Sequence, residues 1–413
     1  MTKDFENMLY LFGMSAIGMH HEFEDEINVE NIYKLSCEQG IWQTVYLALS
    51  QSYDLSNYKN KIIQDVARNI TKMEYMFFVI SELKKNGVDC CFLKGCTVAR
   101  FYREPDYRIS SDTDILISSD KIGLSRKILR QLNFDVGARL GYMHHFEALH
   151  PIAGLLEVHE SLYQEHIKDI LFKDMLHNEE KFIKVTINGH DIYTLGINDG
   201  LNHLTAHYLK HFISKGAGIR QLLDLLLYMK HYEDKINWNK YYDLWTQLGF
   251  IKLIDILKGI GVKYWGMQFD SYEMAFVDDI LDDIESGGIF GYCEADRLNF
   301  IHVFLAETNE DDTKKFKTYM NKNVVKSFFR KLFPSRRYLI ECGYLYANKS
   351  RIHLFWAHLC RLTSLCIQVL KREKKISDNL QYKVKQADSA TEQRRLALLK
   401  KIGILEQSNN NNK

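Results

Sequence analysis

Two carboxylates one residue apart open an apolar run at Ser110-Ser111-Asp112-Thr113-Asp114-Ile115-Leu116-Ile117. The apolar residues after the pair predict a buried strand, and the alternation of side chains along a strand puts Asp112 and Asp114 on one face. Two acids this close raise each other's pKa unless a cation sits between them, so the pattern predicts a divalent-metal site. By itself the pair also fits an ordinary acidic turn, and its surroundings must decide.

Upstream, Val88-Asp89-Cys90-Cys91-Phe92-Leu93 reads as a second buried strand that runs into Lys94-Gly95 and then a helix-compatible stretch over 96–103. A strand ending in glycine at a helix start presents free backbone N–H groups to an anion. Downstream, Gly154-Leu155-Leu156-Glu157-Val158-His159 is a third apolar strand, and the acid inside it is costly unless it is paired or holds a metal. Three carboxylates on neighbouring strands beside a phosphate-sized glycine turn would make a two-metal phosphoryl-transfer site. Lys94 and Arg108 are the cations placed to meet a triphosphate, or else to serve as counter-ions of the acids themselves. His159 shares the face of Glu157 and is expected beside a metal ligand or a phosphate.

At these residues the chain resembles the polymerase-β-like nucleotidyltransferases, whose signature is an apolar-Gly-Ser turn, an Asp-x-Asp pair and a third acid on a later strand. More narrowly, Leu93-Lys94-Gly95, Arg108 with Ser111-Asp112-Thr113-Asp114, and Glu157-Val158-His159 are similar to the uncharacterised bacterial proteins known as nucleotidyltransferase family 5. The likeness continues through Asn202-His203 to Asp224, and to Leu332-Phe333-Pro334-Ser335. Cys96 stands where the wider superfamily has serine, and the stretch from Gly95 to Asp112 is longer than usual there. The resemblance implies an α+β fold, a polymerase-β-like mixed sheet embedded between N-terminal and C-terminal helical regions. It also implies transfer of a nucleoside monophosphate from an NTP with Mg²⁺ or Mn²⁺ as cofactor. On that basis Asp112, Asp114 and Glu157 are expected to be catalytic and to hold the metal. Lys94, Gly95, Cys96, Arg108, Ser111 and His159 are expected around the nucleotide, with His203, His207 and Asp224 lining the cleft.

The 413 residues are enough for two or three domains with substantial cores. A net charge of +1 gives no global attraction for nucleic acid, so any polyanion contact must be local. The eight cysteines show no CxxC spacing, and two of them fall in a buried strand, which predicts reduced thiols in a cytoplasmic protein. The acidic, mixed opening Met1-Thr2-Lys3-Asp4-Phe5-Glu6 does not read as a signal peptide. The apolar stretch 352–370 contains His353, His358 and Arg361, and is expected to be an amphipathic packing helix, not a membrane span.

Along the chain, residues 1–85 read as a helical region, with apolar helical spacing over 41–49 and 62–83. Residues 86–196 form the expected nucleotidyltransferase core. There Asp120 is an expected N-cap for a helix through Leu132, strands are expected around 141–150 and 154–160, and Asn188-Gly189-His190-Asp191 is a hairpin signal between apolar runs. Helical patterns return over 197–387, and residues 388–413 read as a frayed helix followed by a disordered tail.

Histidines cluster twice. His203, His207 and His211 share one helical stripe that fits zinc, interdomain hydrogen bonding or a cleft lining, with Asp224 the nearest further ligand. His144, His145, His150 and His159 sit on the strands that lead to and carry the third acid. Arg220 and Asp224, four apart, fit a surface ion pair or the cleft. Residues 314–337 carry nine Lys/Arg and no acid among aromatics, which fits an RNA acceptor or, more simply, a solvated helix face.

The reading is a metal-dependent nucleotidyltransferase acting on a protein or small-molecule acceptor. A toxin-like tRNA- or RNA-modifying enzyme differs only in acceptor, and an inactive nucleotide-binding module keeps the fold without turnover. A sugar-nucleotide glycosyltransferase is disfavoured because the apolar strand follows the acid pair here instead of preceding it. The inactive module is disfavoured because three clustered acids without a metal would only cost stability.

Overall fold

The structure is a computed structural model and describes residues 1–137, 145–162, 182–214, 216–288, 350, 353–356 and 389–404. The basic stretch 314–337, with Leu332-Phe333-Pro334-Ser335 inside it, and most of 352–370 lie outside the described residues, as does His144. Two compact units divide the chain: Met1–Gly137 with His144–Cys293 and Arg395–Lys413, and Ala138–Met143 with Glu294–Arg394. The sheet, the cleft and the helices that frame them belong to the first. No described helix is long and apolar enough to cross a membrane.

Helices α1 (Lys3–Ile17), α2 (Val29–Glu38) and α3 (Trp42–Leu49) pack on one another and lead into α4 (Ser56–Lys85), a long helix free of proline and glycine. On α4 the buried positions Ile62, Val66, Asn69, Lys72, Met76, Val79 and Leu83 recur every three or four residues, which makes one continuous stripe. The chain then enters β1 (Cys90–Phe92), the one-turn helix α5 (Cys96–Ala99), β2 (Asp112–Ile117) and α6 (Ile122–Gln131). Asp120 does not cap α6: it lies in a 3-10 turn, Ser119–Lys121, and its carboxylate accepts from the Ser118 hydroxyl. Four short strands follow, β3 (Asp135–Val136), β4 (His145–His150), β5 (Gly154–His159) and β6 (Phe182–Ile187), and then β7 (His190–Leu195).

These strands form one mixed sheet in the order β3-β4-β5-β2-β1-β7-β6, parallel at β2·β5 and β1·β7 and antiparallel elsewhere. The fold is α+β with a mixed sheet, as the sequence predicted. The β6–β7 hairpin turns on Asn188 and Gly189, both at positive φ (49° and 79°), the conformation that Asn-Gly accepts most cheaply in a tight hairpin.

The period of two along the strands separates the faces. Ile115, Ile117, Leu156, Val158, Phe146 and Ala148 point to one side, where they pack with Met76, Phe77, Val79 and Leu83 of α4 and Ile128 and Leu129 of α6. Asp112, Asp114, Glu157, His159 and His145 therefore belong to the other side, away from that core. Helices α7 (Ile197–Ser214), α8 (Ile219–His231), α9 (Trp238–Gln247), α10 (Ile251–Trp265) and α11 (Val277–Gly287) follow in the same unit.

Of the segment after residue 388, residues 389–404 are described and the expected tail over 405–413 lies outside the described residues. Ser389–Lys401 forms helix α12, and Arg395, Leu399 and Ile402 are buried. Arg395 donates to the Asp283 carboxylate of α11 and to the Phe212 carbonyl of α7. A composition that reads as frayed is thus anchored by one charged residue whose partners are far away in sequence. Arg395→Ala removes the cation from a buried carboxylate and is expected to cost about 3–5 kcal/mol in urea denaturation. Unchanged stability would show that α12 is not docked.

Candidate functional site

β2 is the central strand, with β1 and β5 on either side, so its side chains on the open face are surrounded by protein. Asp114 is 3% exposed. Its Oδ1 lies 3.3 Å from Lys94 Nζ and 3.1 Å from His159 Nε2, and Glu157 is its register partner on β5. His159 Nε2 is also 3.4 Å from Glu157 Oε2. Burial opposes the charge on Asp114, but Lys94 and His159 more than offset it and hold the carboxyl well below its usual range. His159 is the mirror case: burial acts to lower its pKa, and the hydrogen bonds to Asp114 and Glu157 raise it above the usual value.

Asp112 is less enclosed. Its Oδ1 accepts from the Ser110 hydroxyl at 3.0 Å and the Ser111 hydroxyl at 3.4 Å. The turn before it is pinned from behind, where Lys72 of α4 donates to the carbonyls of Ser110 (3.0 Å) and Asp112 (3.1 Å). Burial, partly offset by the Asp112 carboxylate, pushes the Lys72 ammonium down to about 8. From the helical side Arg220 donates to the Ile109 carbonyl.

A cavity of about 240 Å³ lies over this face. Lys94, Gly95, Ser111, Asp112 and Asp114 line it from the sheet side, and His207, His211, Arg220 and Gln221 from α7 and α8. Gly95 takes φ +68°, which a side chain would strain, and the space where a Cβ would stand is open. Lys94 bridges the two sides, since its Nζ is also 2.8 Å from His207 Nε2, and His211 Nε2 lies 3.2 Å beyond. Burial, with Lys94 nearby, pushes His207 well below its usual value and His203 down to about 3, so both imidazoles are neutral.

At the cavity's edge Arg108 and Asp224, both buried, form a two-bonded ion pair, with Nε donating to Oδ1 at 3.1 Å and Nη2 to Oδ2. The Tyr102 hydroxyl completes the carboxylate at 2.8 Å. Arg220 and Asp224 are thus not a surface pair.

Residues 25–256, more than half of the chain, match the model of a family described as uncharacterised nucleotidyltransferase. The chain belongs to that family. No curated protein matches the sequence. Among solved structures the chain is similar to the antibiotic-resistance factor ANT(2'')-Ia, at 10% identity over 39% of this chain and 85% of that one, with a TM-score of 0.29. It is also similar to an antigenic nucleotidyltransferase-like protein from Paracoccidioides brasiliensis, at 13% identity over 41% and 77% of the two chains, with a TM-score of 0.27.

In this nucleotidyltransferase the structure brings Asp112, Asp114, Glu157, Lys94, Gly95, Ser111, His159 and His207 to one sheet face and the helices opposite. Several residues stand differently from the sequence reading. Cys96 lines a second, smaller cavity with Met73 and Phe77 instead of the cleft, because the one-turn helix carries it past the glycine. Arg108 reaches the cleft already committed to Asp224. His159 serves the acids, and neither it nor Glu157 is among the residues lining the cavity. His203 is buried on α7, His207 is bound to Lys94 and Asp224 to Arg108, and among the described residues the histidine stripe is not part of a cluster that could hold a metal.

Lys72 was missed, and its signal was a lysine interrupting the apolar stripe of α4. Gln221 gave no local signal, and Arg220, read as a surface pair or a cleft residue, lines the cavity.

The raised pKa of His159 makes its contribution pH-dependent. The stabilisation is fully present below the unfolded value of about 6.5 and is lost as pH rises through the higher folded value. His159→Gln keeps a donor without the charge, so its stability deficit against the native chain, measured by urea denaturation in EDTA, is expected to be larger at pH 6 than at pH 9. An equal deficit at both would contradict the charged pairing.

Proposed function

We propose that the chain transfers a nucleoside monophosphate from an NTP to an acceptor on a protein or small molecule, in the cleft between the open face of β2 and helices α7 and α8. The observation that carries this is the placement of Asp112 and Asp114 together on the central strand, with Glu157 in register with Asp114, facing a cavity beside a positive-φ glycine. Three carboxylates form an all-oxygen donor set, which fits a hard divalent cation. Asp112, Asp114 and Glu157 would hold Mg²⁺ or Mn²⁺, which supplies charge neutralisation at the triphosphate and activation of the acceptor group.

The chain's own residues would do the rest. Lys94 stands within reach of both Asp114 and the cavity, and an arriving triphosphate is the anion for which it can exchange the carboxylate. The space beside Gly95 is open, and the backbone N–H groups that follow it would meet the β- and γ-phosphates. Lys72 and Arg220 grip the carbonyls on either side of the acid turn, so the two aspartates are held in place before substrate arrives. The neutral His207 accepts from Lys94 and keeps its ammonium directed into the cleft.

One observation favours a second reading, a nucleotide-binding module without turnover. Asp114 is already neutralised by Lys94 and His159, so the expectation that clustered acids without metal only cost stability does not hold at this position. The RNA-modifying alternative rests on residues 314–337, which lie outside the described residues.

Calorimetry with each NTP separates these readings when combined with pyrophosphate release and with label transfer from α-labelled NTPs into lysate fractions. Mg²⁺ or Mn²⁺ is expected to raise NTP affinity, and Asp112→Asn to reduce it roughly tenfold with metal while leaving metal-free binding unchanged. Binding indifferent to metal, with no pyrophosphate released, would support the binding module.

A further inference from the structure

The antiparallel pairing of β4 with β5 sets His145 directly opposite His159. Glu157, two residues before His159, shares its face, so register alone gathers two imidazoles and a carboxylate on one side of the sheet. The three offer ligand atoms that lie within 4.8 Å of one another, and the two imidazole rings are 5.0 Å apart. His159 is buried while His145 and Glu157 are half-buried, so one ligand is fixed and the other two can adjust.

This donor set differs in kind from the aspartate pair. Imidazole nitrogen is a poor ligand for magnesium and a good one for zinc, and two histidines with one glutamate leave a fourth tetrahedral position for water. Ligands of a tetrahedral ion with bonds of about 2.1 Å stand about 3.4 Å apart. His159 Nε2 and Glu157 Oε2 are already 3.4 Å apart, so only His145 must close in, and a side chain on a strand does so by a small rotation.

We propose that His145, Glu157 and His159 form a zinc site beside the magnesium-binding carboxylates, and that its occupancy shuts the transferase off. The second half rests on the role of Glu157 given under Proposed function. Zinc holding Glu157 and His159 would draw that carboxylate away from the magnesium position and take from Asp114 the imidazole that neutralises it. The sheet thus carries two overlapping metal sites of different chemistry, and zinc and the magnesium-dependent reaction exclude each other.

Titration of the metal-free full-length chain with zinc chloride, followed by calorimetry, tests the site without reference to activity. One zinc is expected per chain. His145→Ala and Glu157→Gln should each weaken it at least tenfold, whereas Asp112→Asn and His211→Ala should leave it unchanged. No zinc binding by the native chain, equal binding by His145→Ala, or loss in His211→Ala alone would overturn the site. In a pyrophosphate-release assay, His145→Ala should keep the native rate in Mg²⁺ and lose inhibition by zinc. Zinc inhibition that survives in His145→Ala would overturn the regulatory half. A chain that binds zinc as described yet releases no pyrophosphate would sink the transferase reading and its regulation, and leave the metal site standing.

Discussion

The structure depends on how negative charge is tolerated at the centre of a sheet. Asp114 sits on the central strand, almost fully buried, with Glu157 in register beside it and Asp112 one pleat away. An uncompensated carboxylate there would be costly or would give up its charge. It does neither, because Lys94 approaches from the end of β1 and His159 from β5. Much else follows from keeping these groups in place. Lys72 reaches through from α4 to the acid turn, α7 presents a neutral His207 to Lys94, and Arg108 is tied to Asp224 on α8.

The acid face and the core face of the sheet are two consequences of one pattern. Alternation along β2, β4 and β5 sends aliphatic and aromatic residues, with His150, to α4 and α6, and sends Asp112, Asp114, Glu157, His145 and His159 to the opposite face. The pattern was legible in the sequence, since Asp112-Thr113-Asp114-Ile115 and Leu156-Glu157-Val158-His159 state their faces directly. The Asn188-Gly189 hairpin was legible for the same reason, being a local rule with a local cause.

What could not be read concerns partners distant in sequence. Lys94 and Arg108 are alike on the page, each a cation beside a motif. The structure gives one to Asp114 and the other to Asp224, a choice set by where α8 docks. The anchoring of α12 through Arg395 and Asp283 has the same character. Cys96 lines the smaller cavity beside Met73 and Phe77, which spacing alone could not resolve. A counter-ion role was one of the two that the sequence offered for Lys94, and the structure gives it that role at Asp114. Membership of a nucleotidyltransferase family and the shape of the cleft are what keep the catalytic reading ahead.

The central claim is that Asp112 and Asp114 share a divalent cation with a bound triphosphate. The most direct measurement is a crystal structure with Mn²⁺ and a non-hydrolysable NTP, read by anomalous scattering. The account predicts manganese density between the Asp112 and Asp114 carboxylates, with Lys94 moved from Asp114 toward the phosphates. Nucleotide bound with no metal at the pair, and Lys94 still on Asp114, would contradict it.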